Sequence, residues 1–212
     1  MNQGEENPRT VTLAMTGGSG AQYGLRLLEC LLAAKCQVYL LLSSAAEVVI
    51  NTETTLALPS GLEAQQAFFE KTYRAEPGQL TLFARDDWFS PVASGSSSPA
   101  SMVICPASGG TLSSIACGAS NNLIERAADV ALKERRQLIA VPREAPYSAI
   151  HLENMLSLTR LGAVILPASP GFYHRPKNIE SLIDFIVARI LDQLGIRQDM
   201  MPRWGEDEQP LS

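Results

Sequence analysis

Short β-favouring runs that end in small-residue loops, each followed by apolar positions at helical spacing, restrict the fold of this chain more than any other feature. Residues 10–15 form such a run, which stops at Thr16-Gly17-Gly18-Ser19-Gly20, after which Leu25, Leu28, Leu31 and Leu32 recur at helical spacing. Residues 37–42 repeat the strand signal, and Ser43-Ser44 opens a helix to about residue 51. The pattern then predicts a helix over 61–75 and a short alternating strand over 79–84. A Ser/Gly/Pro-rich stretch over 90–101 lacks apolar periodicity and reads as an exposed or substrate-covering loop. Residues 102–105 predict a buried strand ending in Pro106-Ala107-Ser108-Gly109-Gly110-Thr111, a second small-residue loop. A helix over 121–136, a strand over 138–141, a helix over 148–159, a strand over 163–166 and a long helix over 178–194 complete the series. Strands separated by helices at this spacing require right-handed crossovers and a parallel sheet with helices on both faces.

Composition narrows the function classes. The 212 residues suit one domain, divided as a tail over 1–9, the folded domain over 10–196 and a polar tail over 197–212 that docks or stays mobile. The longest apolar stretch, over 28–42, is interrupted by Glu29, Lys35 and Gln37, so no membrane span is expected. The first ten residues contain no apolar signal core, and the expected location is the cytoplasm. Cys30, Cys36, Cys105 and Cys117 form no CxxC pair and read as reduced, mostly buried thiols, while His151 and His174 leave little for a metal site. A net charge of -5 argues against a nucleic-acid partner, which needs a basic stripe. Charged residues make up 18% of the chain, against about 25% for an average domain, so either the surface is unusually neutral or much of it is covered by other subunits.

Ligands of parallel sheets bind at the carboxyl ends of the strands. Residues 17–20 lie there, although Tyr23 stands in the place of the last glycine of GxGxxG, and Ser43-Ser44 replaces the acid that would hold an NAD ribose. A phosphate on a non-adenosine sugar, as in flavin mononucleotide (FMN), fits better; the alternative is a tight turn with close helix packing. The loop over 108–111 can converge on the same ligand. Arg143 and Glu144, between two prolines, leave a buried strand at the same edge, where they can clamp a phosphate and move a proton, or form a surface ion pair. Arg126 and Lys133 share a helical face that serves an anion or is solvated. Tyr173 follows another strand, and its hydroxyl meets a ligand or caps the core, whereas His174 reads as a surface residue. Trp88 and Trp204, in polar surroundings, suit an interface or a lid. Glu53 and Arg189 read in isolation as solvated charges.

Met15-Thr16-Gly17-Gly18-Ser19-Gly20-Ala21, Cys105-Pro106-Ala107-Ser108, the run from Asn121 through Arg126 to Val130, Val141-Pro142-Arg143-Glu144 and Pro170-Gly171-Phe172-Tyr173 together resemble the UbiX-type flavin prenyltransferases, in that family's order and spacing. The resemblance runs from about Val11 to Trp204. It implies a flavodoxin-like, Rossmann-type three-layer sandwich assembled as a dodecamer. The implied enzyme joins a dimethylallyl group from dimethylallyl phosphate to N5 and C6 of reduced FMN. The prenylated FMN would serve a UbiD-type decarboxylase in ubiquinone biosynthesis. By the family's pattern, Gly17, Gly18, Ser19, Ser43, Ser108, Gly109, Gly110, Thr111 and Arg143 would hold FMN. Lys133, Arg143, Glu144, Tyr173 and Arg189 would surround the dimethylallyl phosphate, with Arg126 nearby. Glu53, from an adjacent subunit, and Ser19 would handle protons, and if N5 is alkylated first, ring closure at C6 needs a proton removed by Glu144 or by the departed phosphate.

Relatives usually carry alanine in the place of Gly18 and bulkier or more polar residues in those of Ala107 and Gly109, which bears on fine contacts to the flavin. An allylic phosphate ionises readily when cationic side chains meet the leaving charge, so no metal is required. Aromatic faces of Trp88, Trp204 or Tyr173 would stabilise the allylic cation and exclude water. Two other readings stand beside this one: a flavin-dependent decarboxylase of cysteine-type substrates, whose relatives carry a PASANT loop and a PxMNxxM segment, and a non-catalytic flavin-binding subunit.

Overall fold

The computed structural model describes residues 9–201. Six strands, β1 (Thr10–Met15), β2 (Gln37–Leu42), β3 (Leu80–Phe83), β4 (Ser101–Ala107), β5 (Gln137–Pro142) and β6 (Val164–Ile165), form one sheet. All neighbours are parallel, in the order β3-β2-β1-β4-β5-β6. The helices are α1 (Ala21–Ala33), α2 (Ser44–Glu53), α3 (Leu62–Tyr73), α4 (Gly109–Ala116), α5 (Leu123–Lys133), α6 (Ala149–Arg160) and α7 (Ile179–Leu194).

The two-residue period of the strands divides the core. Val11, Leu13 and Met15 of β1 point to one face with Val38 and Leu40 of β2, where Leu28 and Leu31 of α1, Phe69 of α3 and Ile190 of α7 cover them. Ala14, Ile104 and Ala140 point to the other face, under Leu112 of α4, Ala127 of α5 and Leu158 of α6. Truncating a wholly buried side chain such as Leu13 to alanine costs about 3 kcal/mol. The chain winds outward from β1 with α1, α2 and α3 on the first face, then outward from β4 in the opposite direction with α4, α5 and α6 on the second, before α7 returns to the first. The order therefore reverses between β1 and β4, the switch point at which this class of sheet opens a crevice. The sequence-based fold class holds.

Two segments differ from expectation. The second small-residue loop is the start of α4, a helix the sequence reading leaves out. Residues 90–101 are exposed only in part, at Ser94, Ser96, Ser97 and Ala100. They contain a 3-10 turn at Pro91–Ala93 in which Val92 and Ala93 are buried beneath α5. Arg136 holds the carbonyls of Ser98 and Gly95, and Arg126 Nε donates to the Ala93 carbonyl at 3.1 Å. These bonds satisfy backbone groups that a mobile loop would leave to water.

Past α7 the chain lies back on the first face. Met200 Sδ is 3.7 Å from Cys30 Sγ on α1, and the Gln198 carboxamide oxygen accepts from the amides of Met200 and Met201. The described part of the C-terminal tail is thus docked. Among the described residues, no helix is long and apolar enough to cross a membrane. Of the four thiols, Cys36 and Cys105 are buried, Cys30 is partly buried and Cys117 is exposed.

Candidate active site

The chain leaves the carboxyl ends of β1 and β4 through the two small-residue loops, and Thr16, itself 2% exposed, fastens one to the other. Its amide and its hydroxyl donate to the Pro106 carbonyl at 3.2 and 2.8 Å, and the hydroxyl oxygen accepts from the Ser108 amide at 2.8 Å. A β-carbon on Gly17 would lie 2.6 Å from that of Ala45, and one on Gly18 would lie 3.3 Å from that of Pro106. The missing side chains let the first turn of α2 and the end of β4 close on the first loop, which brings Ser43 and Ser108 to either side of it. Ser43 caps α2 by accepting from the Ala46 amide at 3.0 Å. Ser108 caps α4 by accepting from the Thr111 amide at 3.3 Å, with its hydroxyl 3.0 Å from that of Thr111. Gly109 and Gly110 open α4, so their amides have no carbonyl one turn behind them and form an anion-accepting helix end.

The start of α1 is already filled. Its cap, Gly20, has φ 101°, a conformation suited to glycine, and offers no capping side chain. Glu53 does so from the end of α2: Oε2 accepts from the amides of Gly20 and Ala21 at 2.7 and 3.2 Å. Burial pushes this carboxyl up, but the Ser19 hydrogen bond, the two amides and the Arg143 charge outweigh it, and its pKa lies below the ordinary value. Glu53 is therefore not an isolated solvated charge. It also reaches Ser19 from within the same chain, a correction to its expected origin in an adjacent subunit, because α2 packs on α1 and ends beside the first turn of that helix.

Arg143 Nε donates to the Ser19 carbonyl at 3.1 Å, which ties the end of β5 to the first loop. Glu144 is exposed and accepts from the Ala145 amide at 3.1 Å; among the described residues the two do not pair with each other. Tyr23, present in the sequence reading only as a departure from a glycine motif, covers Gly20, whose added β-carbon would meet its ring at 2.8 Å. Burial pushes its hydroxyl pKa up, Cys105 adds to the rise and Arg143 opposes it. Thr16 was missed as well. Its only signal is a β-branched hydroxyl at a strand end, directly before a glycine loop.

The remaining candidates separate. Tyr173 and Arg189 share a groove of about 610 Å³ between the β6–α7 connection, α7 and residues 195–201. Arg189 pairs with Asp192 at 3.0 Å, and Tyr173, 62% exposed, packs edge-on to Phe185 at 5.7 Å. His174 is not a plain surface residue: its ring stacks on Phe185 at 5.3 Å. Lys133 ends α5, which runs back to the amino edge of the sheet, and it pairs with Glu134 at 2.5 Å. Arg143 follows the opposite end of β5, a strand length of about 20 Å away, so Lys133 does not reach the Arg143 cluster within one chain. Arg126 is likewise committed, to Ala93 and to Asp129 at 2.9 Å. Trp88, 46% exposed, follows β3 and Tyr173 follows β6, the two outermost strands, about 24 Å apart at ordinary strand spacing, so one chain does not join them over one ligand. Trp204 lies outside the described residues. Among the described residues, no group of three or more His, Cys, Asp or Glu side chains is placed to hold a metal.

The geometry can therefore hold an anionic ligand at the β1–β4 switch point, beside an ionised carboxylate and an arginine. Comparison with known proteins agrees. The flavoprotein family model, described as "Flavoprotein", matches residues 1–191. A protein of Pseudomonas aeruginosa named flavin prenyltransferase UbiX is 64% identical over 199 residues, covering 94% of this chain and 95% of that protein. A solved structure of AnUbiX (PadA1) in complex with FMN and dimethylallyl pyrophosphate superposes with a TM-score of 0.84 at 38% identity, covering 95% of this chain and all of the other. A dodecameric FMN-dependent UbiX-like decarboxylase from Escherichia coli O157:H7 superposes with a TM-score of 0.78 at 35% identity, covering 92% of this chain and 98% of the other. By sequence, by fold and by the loops at its switch point, the chain belongs to the UbiX-type flavin prenyltransferases of the flavoprotein family.

Proposed function

We propose that this protein is a flavin prenyltransferase, joining the dimethylallyl group of dimethylallyl phosphate to N5 and C6 of reduced FMN. The observation that carries the reading is the fastening of the two glycine loops to each other at the β1–β4 switch point, with Arg143 bonded to the first loop and the start of α4 following the second. Residues here fit FMN. Glu53 occupies the start of α1, so the phosphate belongs at the start of α4, on the amides of Gly109 and Gly110 with Ser108, Thr111 and Arg143 around it. Gly17, Gly18, Ser19 and Ser43 supply a close backbone wall for the rest of the cofactor. Bound there in its reduced form, the flavin supplies the two nucleophilic ring positions.

The protein's own part is electrostatic. Arg189, which lines the α7 groove together with Tyr173, meets the charge that develops on the leaving phosphate. Tyr173 and Trp88 offer aromatic faces to the allylic cation and limit the access of water. Glu53, held below its ordinary pKa, is ionised at neutral pH and accepts the Ser19 hydroxyl, which sets the two side chains in one hydrogen-bonded pair for the proton handling that the resemblance implies. Glu144, exposed at the same edge, removes the proton lost on ring closure.

Lys133 and Trp88 serve this reaction only if a second copy presents them, because their own chain carries them away from Arg143 and Tyr173. Assembly is consistent with the surface. On α6, Ile150, Leu152 and Leu156 are at least half exposed, as are Phe89, Phe172 and Ile179 elsewhere. The dodecameric relative supports a homo-oligomer of that order, which also explains the low charged fraction. We place the enzyme in the cytoplasm, with a UbiD-type decarboxylase of ubiquinone biosynthesis as recipient of the product. A cysteine-type decarboxylase is disfavoured because Pro142-Arg143-Glu144 stands where those enzymes carry PxMNxxM.

Glu144→Gln tests catalysis against mere binding. The variant is expected to retain FMN and lose prenyl transfer, and wild-type turnover in it would remove Glu144 from the proton step.

A further inference from the structure

His151 is tied into the start of α6 by a reciprocal cap. Its amide donates to the Ser148 hydroxyl at 3.2 Å, and the Ser148 amide donates to its Nδ1 at 3.2 Å. With Nδ1 accepting, the neutral ring carries its proton on Nε2, so the second nitrogen is a donor in a fixed orientation. That nitrogen faces the cofactor loop. A β-carbon built on Gly109 would lie only 2.8 Å from it, so the imidazole fills the space a side chain at Gly109 would take. Tyr147 braces the ring edge-on at 6.3 Å.

Nε2 and the Asn154 amide line one narrow pocket with Gly109 and Glu144, of about 10 Å³, the space of one oxygen-sized group. Asn154 Nδ2 is wholly buried and has no partner among the described residues. Glu144, the one carboxylate lining this pocket, has an oxygen engaged with the Ala145 amide. A buried N–H with no acceptor is costly, and the Asn154 amide lines the same pocket as His151, beside Gly109 in the first turn of α4. We infer that His151 is a further FMN-binding residue: through Nε2 it donates to an oxygen of FMN held on residues 108–111, with Asn154 supporting the same oxygen. The inference rests on the assignment of FMN to that loop.

Two conservative variants separate this role from the capping role. Asparagine at 151 offers an oxygen in the place of Nδ1 and keeps the cap, but cannot reach the Nε2 position. Glutamine reaches that position with an N–H. FMN affinity, read by quenching of flavin fluorescence with the melting temperature measured alongside, is expected to fall about tenfold in His151→Asn, the effect of removing one hydrogen bond to a charged or strongly polar acceptor. The melting temperature of that variant should not change. His151→Gln should bind within a few-fold of wild type. Gly109→Ala, which pushes the imidazole aside, should weaken FMN to a similar degree as His151→Asn. Wild-type affinity in His151→Asn, or weaker binding by the glutamine variant than by the asparagine one, overturns the inference and leaves His151 as a helix cap. Failure of the wild-type protein to bind FMN overturns both this inference and the assignment of the loop.

Discussion

The hydroxyl of Thr16 accepts the amide of Ser108 across the β1–β4 boundary at 2.8 Å, and through it the two loops that frame the site are one unit. Thr16→Val removes that acceptor and leaves the Ser108 amide unpaired, with an expected loss of about 1–3 kcal/mol. FMN affinity should fall with it, because Ser108 also caps α4, the helix whose first amides are proposed to hold the FMN phosphate. Thr16→Ser should restore both. Urea unfolding and FMN titration of the two variants check this, and a valine variant with unchanged affinity would uncouple the loops from the site.

Glu53 stabilises the start of α1 only as a carboxylate. Its folded-state pKa lies below its unfolded value, so its contribution is present above the ordinary carboxylate range near pH 4.3 and is lost as the pH falls through the lowered value. Glu53→Gln should therefore be less stable than wild type at pH 7 by about 0.3–1 kcal/mol, as for a carboxylate at a helix N-terminus. The difference should shrink below about pH 4. Unfolding curves at both pH values test the sign.

Leu152 and Leu156 lie one turn apart on the exposed face of α6. Replacing both by aspartate should leave the circular dichroism intact, since neither is in the core, and yield a smaller species by light scattering. That species should lose prenyl transfer. A full-size assembly would move the interface elsewhere, and an active monomer would contradict a shared site.

Lys133 and Tyr173 give a sharper version of the same test. Lys133→Met and Tyr173→Phe homo-oligomers should each turn over at least tenfold more slowly than wild type, the scale expected when one group that stabilises transition-state charge is removed. Oligomers reassembled from a mixture of the two should regain part of the activity, because some sites then draw an intact lysine from one copy and an intact tyrosine from another. No gain on mixing would mean that Lys133 acts elsewhere.

The alternating layers were legible because each strand carries its apolar period and each glycine loop marks a strand end. Helix α4 was not, since Gly109-Gly110-Thr111-Leu112-Ser113-Ser114 is rich in residues with low helix propensity, and the Ser108 cap and tertiary packing override that. Residues 90–101 misled for a related reason: serine and glycine predict exposure, yet the arginines that bind their carbonyls lie more than 30 residues away in the chain. Motif resemblance pointed to the two loops that Thr16 fastens together, while the bond of Glu53 to the Gly20 amide depends on a contact 33 residues apart that no local pattern encodes. Lys133 shows the converse limit, because a residue matched by motif sits, within its own chain, at the opposite end of the strands from Arg143, paired with Glu134.

Prenyl transfer itself is tested most directly by mass. Purified protein, reduced FMN and dimethylallyl phosphate are mixed without oxygen, and the flavin is released and weighed. A flavin heavier by one five-carbon prenyl unit is the expected result, and a flavin of unchanged mass would contradict the proposed activity.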